Sequence, residues 1–386
     1  MMSNSDLISW ILENGGPAIQ LRIFNSRPDN KKDINTIISN LLSLKEVNTA
    51  LDYLDAFEVE AKDKKTLEHL IHYYKDTCID NFFPRLLDLG FRAGMPVFDK
   101  KMQPVKKVFS YMLSQDFDYC CYYRPMLHRF IFMSGYADQE IAASMAQRIN
   151  FIHKAAKDRI FDIFQDGNNL PKLPANWVDR GILKDALNPF SAMAQTPLPT
   201  IYDLSALAYF LNCHNDTETQ AKADDIVEYI LDPEFQKLPE GYGLIWDKAK
   251  RRYYACGWSP TLPLYKDYDR PSHLGSHSVL NYLSMMSNFR AAINSKWFKN
   301  CMKHVEQFRT EKGTYLFPKE YLAGKYICPG STSCILGIHA NLDEAFLSER
   351  NRRLKRNERE AFLRELAGTL NMVEIKSRIA ELTRIP

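Results

Sequence analysis

The sequence predicts an all-α protein built from helical-hairpin repeats. Apolar residues recur at the helical period from end to end, while alternating strand patterns are few. Several of these stretches are separated by short polar linkers of the length that joins antiparallel helices. One motif also occurs twice, about 70 residues apart: a glycine and apolar run, a basic stretch, then Tyr-x-Cys-x-x-Ser. The copies run from Gly243 to Tyr254, Cys256 and Ser259, and from Gly313 to Tyr326, Cys328 and Ser331. Each is flanked by helical patterns, so the motif reads as a repeated helix-loop-helix unit with cysteines at equivalent corners and Ser259 or Ser331 capping the next helix. Roughly five or six hairpins then stack as a solenoid or close into a ring.

Residues 1–70 form a helical lead-in, 71–345 the repeat core and 346–386 an amphipathic C-terminal cap, all within a single domain spanning 1–386. In the core, Leu86 to Leu89 closes a helix at Gly90, and Val105 to Leu113 belongs to the next. Met126 to Met133 ends at Gly135 before Ile141 to Ile152, and a Pro-rich irregular insertion lies between Asp166 and Pro199. Leu204, Leu207, Ala208 and Leu211 are expected to face Ile226, Val227, Ile230 and Leu231 across the linker Asn212 to Thr219. Asp232-Pro233 stops the second helix, because proline cannot continue it. Val279 to Phe289 and Trp297 to Phe308 lead to the second motif copy. In the cap, Arg350 to Arg359 is interleaved with Glu349, Glu358 and Glu360, which reads as a solvated, salt-bridged face ahead of Phe362, Leu363, Leu366 and Leu370.

With 386 residues and 45% hydrophobic content the chain can bury a large core. Fifty basic against 47 acidic residues is too even for a nucleic-acid footprint across the whole protein. Eight scattered cysteines form no disulfide framework, and the N-terminus lacks a signal-peptide pattern, so a reduced cytoplasmic setting is expected. No apolar run approaches the ~20 residues that a bilayer crossing needs.

Three stretches carry a resemblance. They are Trp10-Ile-Leu-Glu-Asn-Gly-Gly-Pro-Ala-Ile-Gln-Leu-Arg22, Leu89-Gly-Phe-Arg-Ala-Gly-Met-Pro-Val-Phe-Asp99, and Cys120-Cys-Tyr-Tyr-Arg-Pro-Met-Leu127 up to Gly135-Tyr136. With them the chain resembles uncharacterised bacterial proteins of the prenyltransferase and terpene-cyclase-like superfamily. The resemblance implies an α/α toroid, inner helices surrounded by outer helices around a central cavity, and, for an enzyme, a transferase or lyase. The chain departs from it in having no Asp-x-Asp-Asp acid tetrad; the nearest strings are Asp267-Tyr-Asp269 and Asp224-Asp225-Ile-Val-Glu228. The local signatures of the zinc sites of protein prenyltransferases and lanthionine cyclases are absent as well.

The segment Tyr265 to His277 concentrates candidate chemistry. His273 and His277 are spaced four apart and follow Asp267 and Asp269; an aspartate beside an imidazole orients it and raises its basicity, as acid/base catalysis requires. The competing reading is an exposed polar loop. In a ring, Cys120 or Cys121, Cys256 and Cys328 would approach one another and, with the histidines, supply thiolates and imidazoles for zinc; against this, free cysteine commonly serves as a small buried hydrophobe. Arg251 and Arg252 with Tyr254, Trp258 and Tyr326 are candidate ligand-binding residues, cations and aromatics at the mouth of a cavity for an apolar or anionic molecule. The functional expectation is a cavity protein that binds or acts on a small, isoprenoid or otherwise apolar ligand without the usual cyclase acid. The alternative is a non-enzymatic helical scaffold for a peptide or protein partner.

Overall fold

The computed structural model describes residues 3–25, 34–58, 70–71, 78–114, 123–166, 170–187, 196–214, 216–263, 277–322 and 343–384. These are predominantly helical, with one small sheet. Helices α1 (Asn4–Asn14), α2 (Pro17–Asn25), α3 (Ile34–Leu42) and α4 (Lys45–Asp52) open the chain, followed by α5 (Ile79–Asp88) and α6 (Pro96–Ser114). Next come α7 (Tyr123–Met133), α8 (Gln139–Lys157), α9 (Ile201–Cys213), α10 (Thr217–Leu231) and the single turn α11 (Pro233–Gln236). The remainder is α12 (His277–Met286), α13 (Arg290–Asn294), α14 (Lys296–Glu306), α15 (Lys319–Leu322), α16 (Asp343–Phe346), α17 (Glu349–Arg352) and the long α18 (Arg356–Arg384). The chain divides into two compact units: Met1–Val108, Ser272–Ser287 and Phe298–Pro386 form the first, Phe109–Pro271 and Asn288–Trp297 the second.

In the first unit, α1 starts with a reciprocal Ser3–Asp6 capping box, which satisfies two otherwise unpaired end groups. Gly15, Gly16 and Pro17 break and restart the helix, and the break is stitched to the far end of the chain. The Gly16 amide donates to the Phe346 carbonyl at 2.9 Å and the Ser348 amide to the Asn14 carbonyl at 3.0 Å. A Cβ on residue 16 would lie 2.6 Å from the Ala345 carbonyl oxygen, so only glycine permits this approach. The C-terminal segment is a long helix with a buried face, Leu363, Leu366, Leu370, Met372, Val373 and Ile375, packed against α1, α12 and α15. Its polar positions reach inward too: Glu374 takes both oxygens to Arg22, and Arg378 donates to Ser284 and Ser287 at 2.9 Å. The expected salt-bridged face is present, with Glu349–Arg353 ahead of this helix and Arg356–Glu360 on its exposed first turns.

In the second unit the helical hairpins stand where the linkers put them. Gly135, at φ +85°, ends α7, and Tyr136 returns a hydrogen bond to the Ile131 carbonyl, closing the end with the left-handed residue that glycine accepts. Asp232 caps α11, with Pro233 as its first residue. The packing of α9 and α10 differs from expectation: α9 lies mainly against α7, and α10 mainly against α8. Two hairpins are therefore stacked, α7 and α9 forming one layer and α8 and α10 the other. The reason is apolar surface. Helices α7 and α9 are buried almost all round, more than one neighbour can cover, whereas α8 and α10 each keep a polar face in water.

The first Tyr-x-Cys-x-x-Ser copy is a correction to the helix-loop-helix reading, because Gly243 to Ser259 forms strands. The sheet has the order β1 (Phe164–Gln165), β2 (Ile182–Leu183), β3 (Leu244–Asp247) and β4 (Arg252–Ala255). The outer pairs are antiparallel and β2–β3 is parallel, with Ile245 opposite Tyr254 and Trp246 opposite Tyr253. Aromatic and β-branched side chains suit a pleated surface, and Trp246 and Tyr253 meet with ring centroids 4.7 Å apart. Asp247 Oδ1 accepts from the Ala249 and Lys250 amides to turn the chain. Ser259 caps no helix; its hydroxyl sits against the Pro239 and Glu240 carbonyls at 3.0 and 3.2 Å. In the second copy, Lys319–Leu322 is helical where the first has its hairpin, so the two copies differ in structure. Tyr326, Cys328 and Ser331 lie outside the described residues.

Candidate functional site

Cys120, Cys121, Asp267, Asp269, His273, Tyr326 and Cys328 lie outside the described residues, as does the side chain of His277, the first residue of α12. The remaining sequence candidates cluster on and beside β4. Tyr254 is fully buried, with the Arg252 guanidinium 4.5 Å above its ring. Cys256 is fully buried too, its thiol directed at the Tyr254 carbonyl at 3.9 Å. Arg251 stands exposed at the hairpin turn with φ +51°, and Trp258, beyond the other end of β4, meets the Tyr202 ring edge-on at 6.4 Å. The structure thus brings Tyr254, Cys256 and Arg252 together and leaves Arg251 apart. Among the described residues no group of three or more His, Cys, Asp or Glu side chains is placed to hold a metal ion.

The strongest concentration of buried polar chemistry lies elsewhere in the second unit, on the stacked hairpins. Arg148 of α8 is 4% exposed and Asp203 of α9 is fully buried. The guanidinium reaches both carboxylate oxygens at 2.8 Å and donates to the Thr196 and Leu198 carbonyls at 2.5 and 3.2 Å. Asp203 also belongs to the α9 capping box, accepting from the Thr200 amide and hydroxyl at 2.8 Å. One arginine thereby fixes the chain entering α9 to the middle of α8. It is a buried ion pair with its hydrogen bonds filled, the form in which burial is tolerated.

His128 and Arg129 sit within the Met126 to Met133 run of α7, where every other residue is apolar. His128 is 1% exposed, with Nε2 3.0 Å from the Ser144 hydroxyl and no hydrogen bond to Nδ1. Burial pushes its imidazole down to about 3, against the opposing pull of Asp203, so it is neutral at ordinary pH. Arg129 is fully buried, and its Nε, Nη1 and Nη2 all lack a hydrogen-bond partner among the described residues. The ring of Phe130 lies 5.7 Å from the guanidinium carbon. Among the described residues the two buried arginines of this unit are chemical opposites: Arg148 is paired with Asp203, and Arg129 has neither an ion-pair nor a hydrogen-bond partner.

Sequence reasoning treated the Met126 to Met133 run as core and missed this constellation. The available signal was a histidine and an arginine, adjacent, in the middle of an otherwise apolar helix, since arginine is almost never fully buried unless paired. No family model, curated protein or solved structure matches the chain. No described helix is long and apolar enough to cross a membrane.

Proposed function

We propose that the protein binds, or acts on, a small molecule with an apolar body and an anionic group, and that its stacked hairpins are part of an α/α toroid. The observation that carries this reading is the unpartnered guanidinium of Arg129 inside the second unit. A charge taken out of water without a counter-charge costs several kcal/mol. A ligand that supplies the missing charge offsets that cost, and apolar surroundings strengthen such an interaction. The stacking of all-round-buried α7 and α9 against half-exposed α8 and α10 supports the inner-and-outer layering of a toroid. The cytoplasmic setting is part of the same reading, and it fits Cys78, Cys213, Cys256 and Cys301, which are thiols rather than disulfides.

Native mass spectrometry of the purified protein, before and after mild denaturation, tests the reading. A bound small anion released on denaturation, and missing from Arg129→Met, is the expected result. A bare mass, combined with no thermal shift from any of a broad panel of organic anions, would sink it.

A further inference from the structure

The charge balance around Arg129 also discriminates between anions. We infer that the ligand bound there is a monocarboxylate with an apolar body rather than a phosphate or diphosphate ester. This inference rests on the ligand-binding reading above and narrows it.

The first step is the size of the missing charge. Of the two buried arginines among the described residues of the second unit, Arg148 is neutralised by Asp203 at 2.8 Å, so it has no charge to offer. His128 is held neutral by burial. Arg124, also felt at His128, is only half-buried and donates to the Leu113 carbonyl at 2.8 Å, so Arg129 is the fully buried positive charge that remains to be balanced. A ligand bearing one negative charge leaves the site neutral, whereas a phosphate monoester carries about −1.5 to −2 at pH 7 and would leave negative charge in a dry interior. A diphosphate leaves more, and is ordinarily accompanied by magnesium on carboxylates. No metal-holding group occurs among the described residues.

The second step is geometry. With Nε, Nη1 and Nη2 all without a hydrogen-bond partner among the described residues, the guanidinium offers its whole planar fork to two oxygens of one ligand; that fits a carboxylate or a phosphate, and the charge count chooses between them. The third is what surrounds the charge. Pro125, Met126, Phe132 and Met133 lie three or four residues from Arg129 on α7 and hence on its side of the helix, and all are buried. With the Phe130 ring they offer an apolar body contact but no further hydrogen-bond donor, which a tetrahedral phosphate with more oxygens would need.

Isothermal titration at fixed ionic strength tests the inference with probes that share a body and differ in head group: octanoate, octanol and octyl phosphate. Carboxylates of two to ten carbons and geranyl diphosphate complete the panel, and wild type is compared with Arg129→Met. The expected result is that a carboxylate binds at least tenfold more tightly than octanol, octyl phosphate or geranyl diphosphate, and that Arg129→Met abolishes this preference. Should octyl phosphate or geranyl diphosphate bind best, with loss in Arg129→Met, the carboxylate assignment is overturned while the anion site stands. If chloride alone displaces every probe, the site is one for inorganic anions and the inference falls. Should no probe distinguish wild type from Arg129→Met, the ligand-binding reading fails with it. Urea denaturation of ligand-free Arg129→Met confirms that the variant folds.

Discussion

Replacing each buried arginine of the second unit by methionine, which preserves length and removes charge, should move stability in opposite directions. Arg148→Met deletes four hydrogen bonds and strands the Asp203 carboxylate, 1% exposed, with only its Thr200 donors. Breaking one side of a buried pair costs about 3–5 kcal/mol. Arg129→Met deletes no hydrogen bond and removes an uncompensated charge, so the ligand-free protein should gain on the order of 2 kcal/mol. Urea unfolding followed by circular dichroism reads both. With a slope of roughly 2 kcal/mol per molar urea, the midpoint should fall by about 2 M for Arg148→Met and rise by about 1 M for Arg129→Met. Ligand reverses the second effect, because at a hundredfold excess over Kd it stabilises wild type by about 2.7 kcal/mol and leaves Arg129→Met unmoved. A ligand-free Arg129→Met that loses 2 kcal/mol or more would refute the reasoning, since the guanidinium would then have a counter-charge in the folded protein.

Three further outcomes are expected. Because His128 is held near 3 in the fold and titrates at about 6.5 in the unfolded chain, the unfolded state takes up a proton that the folded state refuses. Stability should therefore fall by about 1.4 kcal/mol per unit as pH drops from 6.5 towards 3, and urea midpoints for His128→Leu should lack that increment of acid sensitivity. Gly243→Ala should cost about 2 kcal/mol or more and expose the sheet to hydrogen exchange: residue 243 has φ +87°, and a Cβ there would lie 2.1 Å from the Gly181 carbonyl oxygen. Iodoacetamide on the native protein, followed by peptide mass mapping, should label Cys213 ahead of Cys78, Cys256 and Cys301. Those three are buried, and burial pushes the Cys301 thiol up to about 12; rapid labelling of Cys256 would contradict its packing against Tyr254.

Much of the helical framework was legible because it rests on local physics. The Gly90 and Gly135 stops, the polar linker before α10 and the Asp232-Pro233 break each depend on backbone chemistry within a few residues, and all appear where the sequence places them. The sheet was harder to see. Strands β1 and β2 have two residues each, too few for any periodicity, and they exist because β3 lies alongside: the Leu244 amide donates to the Gly181 carbonyl at 2.9 Å across a gap that only glycines leave open. The repeated Tyr-x-Cys-x-x-Ser string misled for the same reason, since its first copy takes its conformation from the strand beside it rather than from its own pattern.

What the sequence by itself determined is which segments are helices, where they stop, and that an arginine and a histidine interrupt the apolar run of α7. Only the tertiary structure decided which helices share a layer and what each buried charge meets. Arg148 and Arg129 look alike as sequence, each one cation in a helical stretch. Their difference arises because Asp203, 55 residues from Arg148, is carried to within 2.8 Å of one guanidinium while no described hydrogen-bonding group is carried to the other. Electrostatic compensation depends on distance and dielectric, and both are set by packing.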